Sequence, residues 1–199
     1  MVSSAERNPS RTYGGASAIQ RLDDRRQRLQ SAVVAIIGRA GWAAATVRAV
    51  AAEAGIGPRF LYESYSDVDD LATSTYDELG AKLISDAVTA YGKHDNVADS
   101  AHAAVGSIVH GLLDDPVRAK FFLSEAPGLV ARRIEFITNS SEEFARLSTE
   151  TPDERLASRR RGIFAAAGGL ELIRIRLDGE DESLDADSIT DTVTNALLP

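Results

Sequence analysis

Residues Thr46 to Tyr65 read TVRAVAAEAGIGPRFLYESY. Thr46 is a good N-cap, and Val47, Val50, Ala51 and Ala54 recur behind it at helical spacing, so the stretch opens with a short amphipathic helix. Gly55 ends that helix and Ile56 packs inward. Gly57-Pro58 then restart the chain, proline being favoured in a first helical turn. Phe60 to Tyr65 predicts a third helix of barely about two turns. Two short helices crossing at the small residues Ala51 and Ala54, around a glycine-bearing turn, define helix-turn-helix architecture. Ile56 and Leu61 close its miniature core, which leaves the outer face of Pro58–Tyr65 to enter a major groove.

Helical periodicity extends in both directions. Upstream, Leu29, Val33, Ile36, Ile37 and Ala40 put one apolar face on a helix ending near Gly41, with Trp42 as a core plug. Downstream, Ser66 or Asp67 caps a fourth helix over about Val68–Tyr91. Further helices are predicted over Val97–Leu113, from Pro116 through Phe122, over Leu129–Leu147, Asp153–Leu177 and Asp185–Leu198. No segment alternates with period two between hairpin turns, and no fixed repeat is present, so the fold class is all-α. Ser3–Ala18, rich in Ser, Gly, Asn and Arg, reads as a mobile arm. The expected boundaries are an arm at 1–20, a helix-turn-helix domain at 21–66 and a larger helical domain at 67–199.

From Arg25 to about Leu79 the chain resembles the DNA-binding region of the TetR family of bacterial transcriptional regulators. The resemblance rests on Gly41-Trp42, Thr46-Val47-Arg48-Ala49-Val50-Ala51, Ala54-Gly55-Ile56, Leu61-Tyr62, Tyr65, and a helix opening at Asp67 with Leu71. The remainder agrees in layout alone. It implies an N-terminal three-helix reader of DNA and a C-terminal helical domain for effector binding and dimerisation. Arg59, Phe60, Glu63 and Ser64 then fall where base edges are read, Tyr62 where a tyrosine contacts phosphate, and Thr46 and Arg48 where the backbone is gripped. Gly57 and Pro58 are counted with this set.

The chemistry agrees, since arginine binds guanine O6 and N7 bidentately. Phe60 has two readings, a thymine-methyl contact or simple packing under the motif. Glu63, one turn after Arg59, either accepts from a cytosine or holds that arginine. One departure is Val68, where the family often has a phosphate-gripping lysine. Asp67, Asp69 and Asp70 beside it suit the first turn of a helix, whose dipole they complement. Compensating cations are available at Arg7, Arg11, Arg21, Arg25, Arg26 and Arg28; for Arg7 and Arg11 a solvated tail is the competing reading.

The 199 residues carry 22 basic and 30 acidic side chains, a net charge of −8 that argues against nucleic acid if taken whole. The distribution along the chain points the other way. Residues 1–64 hold nine Arg against five acids, a net +4, leaving 13 bases and 25 acids, a net −12, in residues 65–199. A cationic reader joined to an acidic domain is the expectation. With no cysteine, disulfides and thiolate metal sites are excluded and a reducing cytoplasm is the natural compartment. Met1–Gly15 is polar and unlike a signal peptide, and the weakly polar stretches Ala32–Ile37 and Gly162–Leu170 are too short to span a bilayer.

In the second domain, Gly168-Gly169 lie inside a predicted helix at a cost of roughly 1 kcal/mol each, which a close helix contact would offset. Ala166, Gly169, Leu170, Ile173, Ile189, Val193 and Leu197 are therefore assigned to a four-helix homodimer interface, with packing inside one protomer as the alternative. Arg155, Arg159, Arg160 and Arg161 read as a solvated face. Tyr76, Leu79, His102, Val105, His110, Phe122, Phe136 and Phe164 are candidate linings of an effector cavity, each also a candidate core residue. No metal site is expected, because His94, His102 and His110 are spaced by eight and do not converge on a helix. No P-loop, dinucleotide fingerprint or nucleophile elbow is present, so neither a cofactor nor an enzyme is expected. The sequence thus reads as a homodimeric repressor of a palindromic double-stranded operator, released by a small-molecule effector. The alternative is a ligand-sensing or protein-interaction module of the same fold with weak DNA affinity.

Overall fold

The computed structural model describes residues 18–148 and 151–198. Among the described residues the chain forms eight α-helices and no strand: α1 (Ala18–Ala40), α2 (Val47–Ala54), α3 (Val68–Tyr91), α4 (Val97–Leu113), α5 (Pro116–Phe122), α6 (Pro127–Ser148), α7 (Pro152–Asp178) and α8 (Ala186–Leu197). Residues 18–20, assigned to the arm by composition, belong to α1 instead. Ala18, Gln20 and Arg21 are strong helix formers and carry the helix beyond its apolar stripe. The rest of the expected arm, with Arg7 and Arg11, lies outside the described residues.

Local chemistry sets the helix ends. Thr46 caps α2 by accepting from the Ala49 N–H at 3.2 Å, and Gly55 closes it in the left-handed conformation at φ 63°. Asp67 caps α3 by accepting from the Asp70 N–H, and the Asp70 carboxylate accepts in return from the Ser66 N–H, both at 2.8 Å. Asn96, Asp115, Thr151 and Asp185 cap α4, α5, α7 and α8 in the same way.

The third element of the helix-turn-helix is tighter than a regular α-helix. A 3-10 turn spans Pro58–Phe60, and the Ser64 and Tyr65 N–H groups both bond back to the Leu61 carbonyl. Pro58 contributes no N–H, and the segment is too short to propagate a regular ladder. Trp42 sits in another 3-10 turn, Trp42–Ala44, half-buried against the core edge rather than plugging it.

Val33, Val50, Leu61 and Leu71 are fully buried and join α1, α2, the segment 58–65 and α3 into one core. α1 also lies along α5, so closely that a Cβ on Gly38 would overlap the Val117 carbonyl. Beyond this contact α3 packs on α4 and α6, α7 runs between α6 and α8, and α8 closes onto α4. An aromatic cluster marks the junction: Tyr76 stacks on Phe122 at 4.2 Å, and Phe122 meets Phe136 edge-on at 4.9 Å.

Candidate nucleic-acid interface and ligand cavity

Val50, Ala51, Ala54, Leu61 and Tyr65 point into the core, so the opposite side of the same segment faces solvent. Thr46, Arg48, Gly57, Pro58, Arg59, Tyr62 and Glu63 are exposed, Tyr62 by 60%, while Phe60 and Ser64 are half-buried. Phe60 packs within the protein, one of its two sequence readings. Its ring packs under two guanidinium groups, Arg25 at 4.5 Å and Arg59 at 4.8 Å from the centroid. Glu63 does not hold Arg59. It accepts instead from Arg25 of α1 at 2.8 Å.

That arrangement divides the arginines into two groups. Arg25, Arg26, Arg28 and Arg39 are engaged within the protein, with Glu63, Glu78, the Gly55 carbonyl and Glu53 respectively. Arg25, Arg28 and Arg39 tie α1 to the helix-turn-helix and Arg26 ties it to α3, contacts that the sequence reading of Arg25, Arg26 and Arg28 as compensating phosphate cations did not include. Among the described residues neither Arg48 nor Arg59 is ion-paired with an acid. Val68 is buried in the core, so its position serves packing. Asp67 and Asp70 are committed to the cap of α3, as the dipole argument anticipates.

A cavity of about 110 Å³ lies among α3, α4, α6, α7 and α8. Of the expected linings, Val105 and Phe136 border it. Tyr76 and Phe122 form the packed aromatic layer beside it, where burial pushes the Tyr76 hydroxyl above its ordinary range, and Leu79 packs against the core. Three others point elsewhere. His102 and His110 are exposed and face Asp191 and Asp187 of α8 at 3.0 and 3.9 Å, and Phe164 is 73% exposed. The sequence reading missed Tyr91, Phe144, Ser140 and Ser141 as linings; the step of seven from Ile84 to Tyr91 was the available signal.

The residues assigned to the dimer interface also turn inward. Ala166, Gly169, Leu170, Ile173, Val193 and Leu197 border the cavity, and Ile189 is fully buried. The reason is close packing inside one protomer: a Cβ on Gly169 would lie 2.8 Å from a Val193 methyl. A Cβ on Gly168 would meet nothing within 4 Å, so this glycine lies on the outward side of α7. Among the described residues no cluster of His, Cys, Asp or Glu is arranged to hold a metal ion, and no helix is long and apolar enough to cross a membrane.

The described chain is all-helical, with an exposed helix-turn-helix and a cavity among its later helices. Solved structures share its fold. The fatty acid degradation regulator FadR from Bacillus halodurans aligns with TM-score 0.73 and 18% identity, over 87% of this chain and 94% of its own. A TetR family transcription regulator from Marinobacter aquaeolei VT8 aligns with TM-score 0.62 and 18% identity, over 89% and 97%. FadR from Bacillus subtilis, solved with stearoyl-CoA, aligns with TM-score 0.64 and 16% identity, over 86% and 96%. No protein-family model matches the sequence, and no curated protein matches it. The fold is that of TetR-family transcription regulators.

Proposed function

We propose that the chain is a ligand-responsive DNA-binding regulator, a homodimeric cytoplasmic repressor that occupies a palindromic operator and leaves it when a small-molecule effector binds. The observation carrying this reading is the outer face of the helix-turn-helix, where Arg48, Arg59 and Tyr62 are exposed and neither arginine is ion-paired among the described residues. Such an arginine suits bidentate contact with guanine, and the tyrosine suits phosphate. In a dimer the two reading segments address half-sites ~34–36 Å apart, or a multiple of that.

The cavity is the effector seat in this reading. The Bacillus subtilis neighbour holds stearoyl-CoA, but among the described residues no lysine or arginine borders the cavity to receive coenzyme phosphates, so that ligand is not carried over. Effector binding favours a protomer arrangement that mis-spaces the reading segments and shifts the population off DNA. The outward side of α7, with exposed Phe164, Ala167 and Gly168, supports symmetric pairing with a partner's α7 and α8. No catalytic role is assigned.

Selection of bound DNA from a random library tests the regulator. Enrichment of a palindrome supports it, and failure to enrich one at both low and moderate salt overturns it. Buried Val68 and the internal engagement of Arg25, Arg26 and Arg28 favour a second reading, a sensing or interaction module with weak DNA affinity. Effector binding without palindrome enrichment selects that reading.

A further inference from the structure

We infer that the cavity takes an uncharged, compact apolar molecule on the scale of a single six-membered ring. The inference rests on the cavity being a ligand site, as proposed above, and concerns which ligand it admits. Its walls are aliphatic and aromatic, including Val105, Phe136, Phe144, Leu170, Ile173 and Val193. Its size, about 110 Å³, is close to the ~150 Å³ of a dry engineered cavity that binds benzene.

The exclusion of charge follows from the few polar groups present. Ser140 and Ser141 both donate their hydroxyls to the Ile137 carbonyl, at 3.2 and 2.6 Å. Tyr91 donates to the Leu147 carbonyl at 3.5 Å. Glu143 is the one charged residue on the wall among the described residues, and Arg146 already satisfies it through its Nε and Nη2. An anion therefore finds no donor, and a cation finds a carboxylate already neutralised. Burying a charge without a partner costs more than apolar contact returns. A neutral molecule leaves nothing unpaired.

The size limit has a structural origin. Two glycines hold the walls at closest approach: a Cβ on Gly162 would lie 3.0 Å from Ser141 Cβ, and one on Gly169 would lie 2.8 Å from Val193. Neither helix pair has slack to close further, so these contacts set the width between α7 and its neighbours α6 and α8.

Calorimetric titration of the full chain with toluene, benzoate and benzylamine tests this, since the three share a ring and differ in charge. Toluene is expected to bind with a Kd at least tenfold below those of the other two. Equal or tighter binding of benzoate or benzylamine overturns the proposal, and so does failure of all three to bind. Ala165→Leu places a side chain into the cavity and should abolish toluene binding; Ala104→Leu, on the half-buried wall, serves where circular dichroism finds the first variant unfolded. Undiminished toluene binding in a folded variant of either kind overturns the location. The affinity for the selected palindrome, measured with and without toluene, separates the two ideas. Toluene binding that leaves DNA affinity unchanged supports the ligand class and removes the effector role.

Discussion

Arg25 on α1 and Glu63 in the reading segment, 38 positions apart, meet at 2.8 Å while the same guanidinium covers the Phe60 ring. Glu63 is thus occupied from behind, and under the proposed DNA-binding role one cation is withheld from phosphate. Glu63→Gln releases that cation. Non-specific affinity should rise, and the slope of log K against log salt should steepen by ~0.9, the value of one added phosphate contact. Binding to random-sequence duplex over a salt series measures it, and an unchanged slope means that Arg25 stays clear of phosphate.

Arg59 shares the Phe60 ring with Arg25 but is not ion-paired among the described residues. Arg59→Ala should relax base preference at one position in each half-site by ~1–3 kcal/mol. Competition between the selected palindrome and its single-base variants reads this out. Uniform weakening across all sequences would assign Arg59 to the backbone instead.

Phe164 is 73% exposed on the outward side of α7, one helical turn before Gly168. Phe164→Glu should leave helix content unchanged and weaken self-association at least tenfold, a loss of ~1.4 kcal/mol or more. Sedimentation equilibrium distinguishes the outcomes. A variant that dimerises like the wild type moves the interface elsewhere.

The cap of α8 gives an acid-sensitive element. The Asp185 carboxylate is held below its ordinary 3.8 chiefly by the Ser188 backbone N–H. A folded pKa below the unfolded one contributes stability above the unfolded value and loses it as pH falls through the folded one. The melting temperatures of the wild type and Asp185→Ala should therefore differ at neutral pH, and the gap should narrow below 3.8. A gap independent of pH would show that the charge of the cap is immaterial.

Gly38→Ala forces a methyl into the Val117 carbonyl. The expected loss is ~1–3 kcal/mol, a fall in Tm of roughly 2–4 °C for each kcal/mol. An unchanged Tm would mean that α1 separates from α5 without cost.

The parts of the fold written in local chemistry were legible in the sequence. Thr46 and Asp67 announce helix starts because a cap is made by its own neighbours within three residues. Facing was less legible. In α7 the apolar residues Leu156, Phe164, Leu170, Ile173 and Ile175 surround the axis, so nothing in the pattern says which side meets the protomer's own core. Gly168 and Gly169 looked equivalent for that reason, and only the position of Val193 separates them. His102 and His110 sit among alanines and valines of α4, yet their partners Asp191 and Asp187 lie on α8, far away in sequence. Arg25 and Glu63 escaped notice for the same cause, since a pair 38 residues apart has no periodic signature.

The overlap awaiting any side chain at Gly38 makes that point of α1 a fulcrum. Twenty residues of the helix extend from it toward Ala18, a lever of ~30 Å at ~1.5 Å per residue. A tilt of ~5° about the Val117 contact carries the far end by ~2.6 Å, a displacement on the scale of one hydrogen bond. Arg25 and Arg28 hold Glu63 and the Gly55 carbonyl along that same lever, so in the proposed regulator a tilt of α1 would be passed directly to the face that meets DNA.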